Sequence, residues 1–218
     1  MLNYLTVNTT IEIVCLLIAF ICLLKDDSQI WQGFILYLFV TCVAEILGIY
    51  IKKQLHQSNA WVYNMSMIFE AIFVSLMYWI LFGRYNKSKP IIAGGLILLG
   101  VIYIYDIMSH GLFDYNNLTY SVMSILYVFY AMFYYYSLLQ DDEYIHLKYS
   151  AKFWWVTGTL FFYFGSTVCN LFYNSLLIVI TPRHYLTYYI YNALNIILYG
   201  CWSYSFICKK WLMTTSEV

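Results

Sequence analysis

Residues 31–51 read WQGFILYLFVTCVAEILGIYI, a stretch with no proline and one formal charge, at Glu45. As an α-helix rising about 1.5 Å per residue it would run roughly 31 Å, the thickness of the hydrocarbon layer of a bilayer. Polar punctuators bracket it: Lys25-Asp26-Asp27 before, and KKQLHQSN at 52–59 after. Working outward, apolar runs of the same kind recur near 5–24, 61–82, 91–107, 118–139, 153–174 and 185–208, the fourth being the shortest. The pattern predicts an all-α fold, a polytopic membrane bundle of about seven transmembrane helices. The intervening segments are too short to hold a further domain, so residues 1–218 read as one bundle domain.

Composition agrees. The chain is 63% hydrophobic and 10% charged, more apolar surface than a soluble domain of this length keeps from water, so its solvent is lipid. Eleven basic residues balance eleven acidic ones, which argues against a nucleic-acid partner. No basic residue precedes Lys25 and no small-residue cleavage site follows the first apolar run, so that run is expected to be a span and not a cleaved signal.

Orientation follows from the sides on which basic residues fall, since basic loops resist export. Lys25, Arg84, Lys87, Lys89, Lys148, Lys152, Lys209 and Lys210 share one side; Lys52, Lys53 and Arg183 share the other. The N-terminus is therefore expected outside and the C-terminus inside. Trp31, Trp61, Tyr63, Trp154, Trp155 and Trp211, near span ends, suit the membrane interface.

Strongly polar side chains within the spans are lopsided in depth. Glu70 falls near mid-bilayer; Glu45, Asp106, Asn170, Asn174 and Asn192 fall toward the outer ends, with Asn195 nearer the middle and Glu12 and Asn64 close to outer ends. The inner halves hold hydroxyls and small residues such as Ser75, Thr157, Gly158, Thr159 and Ser203, and no carboxylate. Helical spacing aligns Tyr37, Thr41, Glu45 and Gly48 on one face, Tyr163, Thr167, Asn170 and Asn174 on another, and Tyr188, Asn192, Asn195 and Tyr199 on a third. A central acidic residue costs about 2.5–3.5 kcal/mol to insert, and interhelical polar bonds return only about 0.6 kcal/mol on average. Stability is thus a weak reason to keep such glutamates, although a protonated Glu bonded between helices is the plainer alternative. Glu45, Glu70, Asp106, Asn170, Asn192 and Asn195 are the candidate ligand-binding residues, with Glu45, Glu70 and the asparagines expected to line one outward-opening pocket.

Several chemistries are disfavoured. The last span has no lysine before Lys209 for a retinal Schiff base, and His56, His110, His146 and His184 lie in or beside loops, away from metal-ligand spacing. Six cysteines sit in apolar segments without a Cys-x-x-Cys pair and read as small apolar filler. Pro90 and Pro182 are both at loop positions, unlike the helix prolines of seven-span sugar exporters, and no internal repeat is evident. No metal and no cofactor is expected. Gly94-Gly95 reads as a close helix-packing point, and sequons begin at Asn8 and Asn117.

The segments Glu45-Ile46-Leu47-Gly48-Ile49-Tyr50 and Asn59-Ala60-Trp61-Val62-Tyr63-Asn64, then Glu70, and Asn195-Ile196-Ile197-Leu198-Tyr199 resemble small seven-helix membrane proteins of Bacteroidetes-type bacteria. The resemblance runs over the whole chain and implies the bacterial inner membrane; it brings no activity or site residue with it. The leading functional expectation is a sensor or receptor whose outward cavity binds a small molecule and passes a helix shift to a membrane signalling partner. The alternatives are an intramembrane lipid-modifying enzyme using Glu45, Glu70 or Asp106 as acid or base, and a proton-coupled carrier.

Overall fold

A computed structural model describes residues 6–83, 89–140, 146–181 and 184–212, so Arg84, Lys87 and Arg183 of the basic-residue pattern lie outside the described residues. Seven long helices form: α1 (Val7–Leu23), α2 (Gln29–Tyr50), α3 (Ala60–Leu81), α4 (Lys89–His110), α5 (Asn117–Leu139), α6 (Ala151–Leu171) and α7 (Leu186–Ile207). Wider π-helical turns extend α2 through Leu55 and α7 through Leu212. Local chemistry sets several ends. The Thr6 side chain accepts from Thr9 N–H and that of Ser150 from Phe153 N–H, each capping a helix start. Gly111, at φ +86°, ends α4, its N–H returning to the Ile107 carbonyl at 2.8 Å.

Among the described residues four helices are long and apolar enough to cross a membrane: α2 with its extension, α3, α4 and α5. Helix α1 is apolar but, at 17 residues, the shortest, whereas α4 has 22 and is not the short span its sequence suggests. Pro90 occupies the first turn of α4, where its missing N–H costs no helical bond, and the polar end through Asp106 stays helical. Helices α6 and α7 are of spanning length but rich in Tyr, Trp, Thr and Asn.

Packing pairs α1 with α2 and α7, α2 with α3, α3 with α5, α5 with α6, and α6 with α7, which closes a ring of six helices. Helix α4 sits outside the ring against α3 and α5, and buries only Ile92, Gly95, Leu99 and Asp106. Gly95 lets Tyr130 pack close, while Gly94 meets nothing. A tighter approach occurs at Gly158, where an added Cβ would come within 2.8 Å of Cys201 Cβ and 3.1 Å of the Leu198 carbonyl, so α6 and α7 touch backbone to backbone.

The ring is filled at one end by aromatics. Phe34, Tyr78, Trp155, Trp202 and Phe206 are buried; Trp155 and Trp202 stack at 6.2 Å, and Phe34 packs edge-on against Phe73 at 4.8 Å and Trp202 at 5.7 Å. The same end is fastened by Lys210, whose Nζ donates to the Ile21 carbonyl at 2.6 Å, and by Lys209 paired with Asp26 at 3.7 Å. Between α6 and α7 lies a small antiparallel hairpin, Val179–Thr181 with His184–Tyr185, in a stretch the sequence suggests is plain loop and the end of a span. The β-branched run Ile178-Val179-Ile180 favours extended backbone there.

Candidate functional site

The end of the ring opposite the aromatic core gathers the polar groups. Three glutamates from three helices each accept a hydrogen bond from a tyrosine of a different helix: Glu12 from Tyr199 Oη at 3.3 Å, Glu45 from Tyr63 Oη at 3.0 Å, and Glu70 from Tyr163. These bonds tie α1 to α7, α2 to α3, and α3 to α6. Tyr63 reaches Glu45 only because residue 48 is glycine; a Cβ there would stand 2.7 Å from the Tyr63 hydroxyl.

Between α3, α5, α6 and α7 lies a cavity of about 390 Å³ with Glu70, Ser66 and Met67 at depth and Asn64, Asn116, Asn117, Tyr120, Asn170 and Tyr191 around it. Glu70 lies ten residues from the start of α3, about 15 Å along the helix. A second space of about 660 Å³, lined by Lys52, Lys53, Asn59 and Tyr188, shares Tyr63, Tyr115 and Tyr191 with the first. The two read as one cleft, with lysines at its mouth and Glu70 toward its floor. Among the described residues no lysine, arginine or histidine lines the deeper part.

The rim is held by asparagines. Asn64, fully buried, donates to the Leu112 and Asp114 carbonyls at 2.9 and 2.8 Å and accepts from Asn116 N–H at 3.3 Å. Asn59 donates to the Gly48 carbonyl at 3.1 Å and accepts from Tyr115 Oη at 2.6 Å. Together they clamp the α4–α5 loop over the cleft and hold Tyr115 and Asn116 in its wall. Tyr115 lies outside the helices; burial first, and then the nearby Glu45 carboxylate, hold its phenol above the usual range, so it stays a hydroxyl donor at neutral pH.

The expected residues separate in space. Glu70 and Asn170 line the deeper cavity. Glu45 stands behind its wall, reached through Tyr63. Asp106 is buried elsewhere: its Oδ2 accepts from Thr119 N–H at 3.0 Å and Thr119 Oγ1 at 2.9 Å, and its Oδ1 lies 3.3 Å from His110 Nδ1. It caps α5 and does not line the cleft. Asn192 and Asn195 line neither space; Asn192 Oδ1 is buried without a partner among the described residues. The side chain of Asn174 lies outside what is described.

Tyr115, Asn116, Tyr120 and Tyr191 are lining residues that depth and charge do not single out in the sequence, whereas Tyr63 and Ser66 share a helical face with Glu70 by spacing. Asn116-Asn117 at the start of a tyrosine-bearing helix is the one local signal that could have found part of them. Capping explains why Asn116 is available. An asparagine at this N-cap position ordinarily accepts a first-turn N–H, but Asp106 already takes that of Thr119, and Asn116 makes no side-chain cap bond. Its amide oxygen and nitrogen are both buried without a partner among the described residues. No group of three or more His, Cys, Asp or Glu suited to a metal occurs among the described residues. Comparison with protein-family models, curated proteins and solved structures finds no match.

Proposed function

We propose that this chain is a seven-span protein of the bacterial inner membrane, N-terminus outside, whose outward-facing cleft binds a small ligand and signals to a membrane partner by helix movement. The observation that carries the reading is the cleft itself: a carboxylate, Glu70, toward the floor of a space open at one end of the ring and backed at the other by packed aromatics. A dry aromatic core supports a receptor over a carrier, which needs access from both sides. The tyrosine bonds to Glu45 and Glu70 supply a route for output. A ligand that recruits Glu70 competes with Tyr163, and so changes how α3 sits against α6.

Cysteine labelling tests this reading. In a background without the six native cysteines, Asn170→Cys reacts with a charged, membrane-impermeant thiol reagent added outside intact cells, while Ile197→Cys, on the exposed flank of α7, does not. Protection of position 170 under outside labelling, with labelling restored only from the cytoplasmic side, would overturn the orientation and the receptor reading together.

A further inference from the structure

Five tyrosines line the deeper cavity: Tyr63, Tyr115, Tyr120, Tyr173 and Tyr191. Four of them spend their hydroxyl protons within the protein. Tyr63 donates to Glu45 and Tyr115 to Asn59, Tyr120 donates to Ser166 Oγ at 3.3 Å, and Tyr191 to Asn170 Oδ1 at 3.3 Å. With the hydroxyls tied back, the walls offer ring surface more than hydrogen-bond donors. An electron-rich ring face attracts a cation, most strongly a poorly hydrated organic one in a site shielded from water. Among the described residues the deeper space contains one carboxylic acid, Glu70, and no basic residue to neutralise it. One Glu70 oxygen is engaged by Tyr163; the other has no hydrogen bond among the described residues.

A third feature is independent of the rings. Asn116 is buried, lines this same cavity, and keeps both amide atoms without partners among the described residues because Asp106 has taken over the capping of α5. Buried polar groups left unpaired ask for an occupant. Here an occupant with a hydroxyl or carbonyl fits.

We infer that the ligand is a small organic ammonium ion, its charge set against Glu70 between tyrosine rings and its second polar group met by Asn116. The inference deepens the outward-cleft reading and rests on it. The ammonium could belong to a free amine or to a lipid headgroup, and both present the same chemistry to the cavity. A metal ion is a poorer fit, since the walls supply few oxygen ligands beyond one carboxylate and the asparagine amides.

Choline and its uncharged isostere 3,3-dimethyl-1-butanol separate charge from shape. With the full chain in phosphatidylglycerol nanodiscs, calorimetry gives choline a Kd lower than that of the isostere by about tenfold or more. Glu70→Gln removes that preference, Tyr120→Leu weakens choline and Tyr120→Phe restores it, with the protein monodisperse throughout. Equal affinities for the two probes, no choline binding at millimolar concentration, or a preference that survives Glu70→Gln each overturns the ammonium assignment. If Asn170→Cys still labels from outside in those cases, the cleft stands and only its ligand class falls; if it does not label, the cleft reading fails first. In phosphatidylethanolamine discs, weaker choline binding assigns the cavity to a lipid headgroup, and unchanged binding assigns it to a free amine.

Discussion

The two ends of the helix ring solve the problem of burial in opposite ways. At the end fastened by Lys209 and Lys210, Trp155, Trp202, Phe34 and Phe206 fill the interior by packing; Thr159 Oγ1 bonds to its own helix at the Trp155 carbonyl, Trp202 Nε1 and Ser205 Oγ each make one bond to α6, and Ser75 Oγ, Tyr78 Oη and Trp155 Nε1 are buried without a partner among the described residues. At the other end the helices meet through side-chain hydrogen bonds of Glu, Tyr and Asn, and a cleft remains between them. Within lipid, apolar side chains gain little by leaving the hydrocarbon, so the aromatic end is held by close contact and dispersion, and the polar end by directed bonds. The first kind of contact is rigid and indifferent to solutes. The second can be exchanged for bonds to a ligand, which is why function is expected where packing is least complete.

Truncation should divide the two ends most sharply in the aromatic core. Trp202→Ala removes a side chain that is 1% exposed, stacks on Trp155 and donates to Thr159 Oγ1. A loss of about 3 kcal/mol or more is expected, read as a lowered unfolding midpoint in detergent. Gly158→Val should act through the same end by forcing α6 from α7. If Trp202→Ala melted no earlier than Tyr120→Phe, the contrast between a packed end and a bonded end would fail.

A smaller effect is expected at the polar end, and it should be local. Asn64→Leu keeps the volume and deletes two donors that hold the α4–α5 loop, a cost of about 1–3 kcal/mol because the Leu112 and Asp114 carbonyls and Asn116 N–H lose their partners. Proteolysis or hydrogen exchange should report faster opening of residues 111–116, with the aromatic end unchanged. Protection lost evenly along the chain would show that the ends do not behave separately.

How much of this division is visible in the sequence depends on the kind of signal. Helices α2, α3 and α5 fall within a few residues of their apolar runs, because long uninterrupted hydrophobicity is itself the cause of the helix in lipid. That Glu45, Glu70 and Asn170 stand out within apolar runs is legible for the same reason: a strongly polar side chain in such a run is conspicuous. The functions of those residues were less legible. Asp106 and Asn192 look alike in depth to Glu45, yet Asp106 serves the first turn of α5, a contact made across a loop that periodicity does not encode. Tyr120 and Tyr191 line the cavity although nothing distinguishes them among 25 tyrosines until the ring closes and fixes which faces converge. The order of that ring, with α4 excluded, is likewise a tertiary fact.

The exchange of roles between Asp106 and Asn116 makes a paired prediction. Asp106→Ala leaves Thr119 N–H and its hydroxyl unpaired and should cost about 1 kcal/mol, the ordinary worth of a helix cap. Asn116→Ala should cost less in the unliganded protein, since its amide makes no bond among the described residues, while weakening choline binding. Equal destabilisation by the two would mean that Asn116 shares the capping after all.

The smallest effect lies at the rim and depends on pH. Tyr115 donates to Asn59 only as a neutral phenol, and burial followed by the Glu45 carboxylate raises its titration above the ordinary value of about 10. The folded protein therefore holds this proton more tightly than the unfolded chain does. That linkage contributes stability in full below the unfolded value and loses it as pH rises through the higher folded value. Because Tyr115 is about half exposed, at 48%, solvent screens the interaction and the effect is modest. Melting curves taken from pH 8 upward should stay level and then fall above about pH 10, and Tyr115→Phe should make the fall shallower while lowering the neutral-pH midpoint slightly through loss of the Asn59 bond. The other tyrosines also titrate at high pH, so the difference between the two proteins carries the information. Curves that remain parallel through the alkaline range would show that the Tyr115 hydroxyl does not hold the loop, and that Asn64 alone closes the rim.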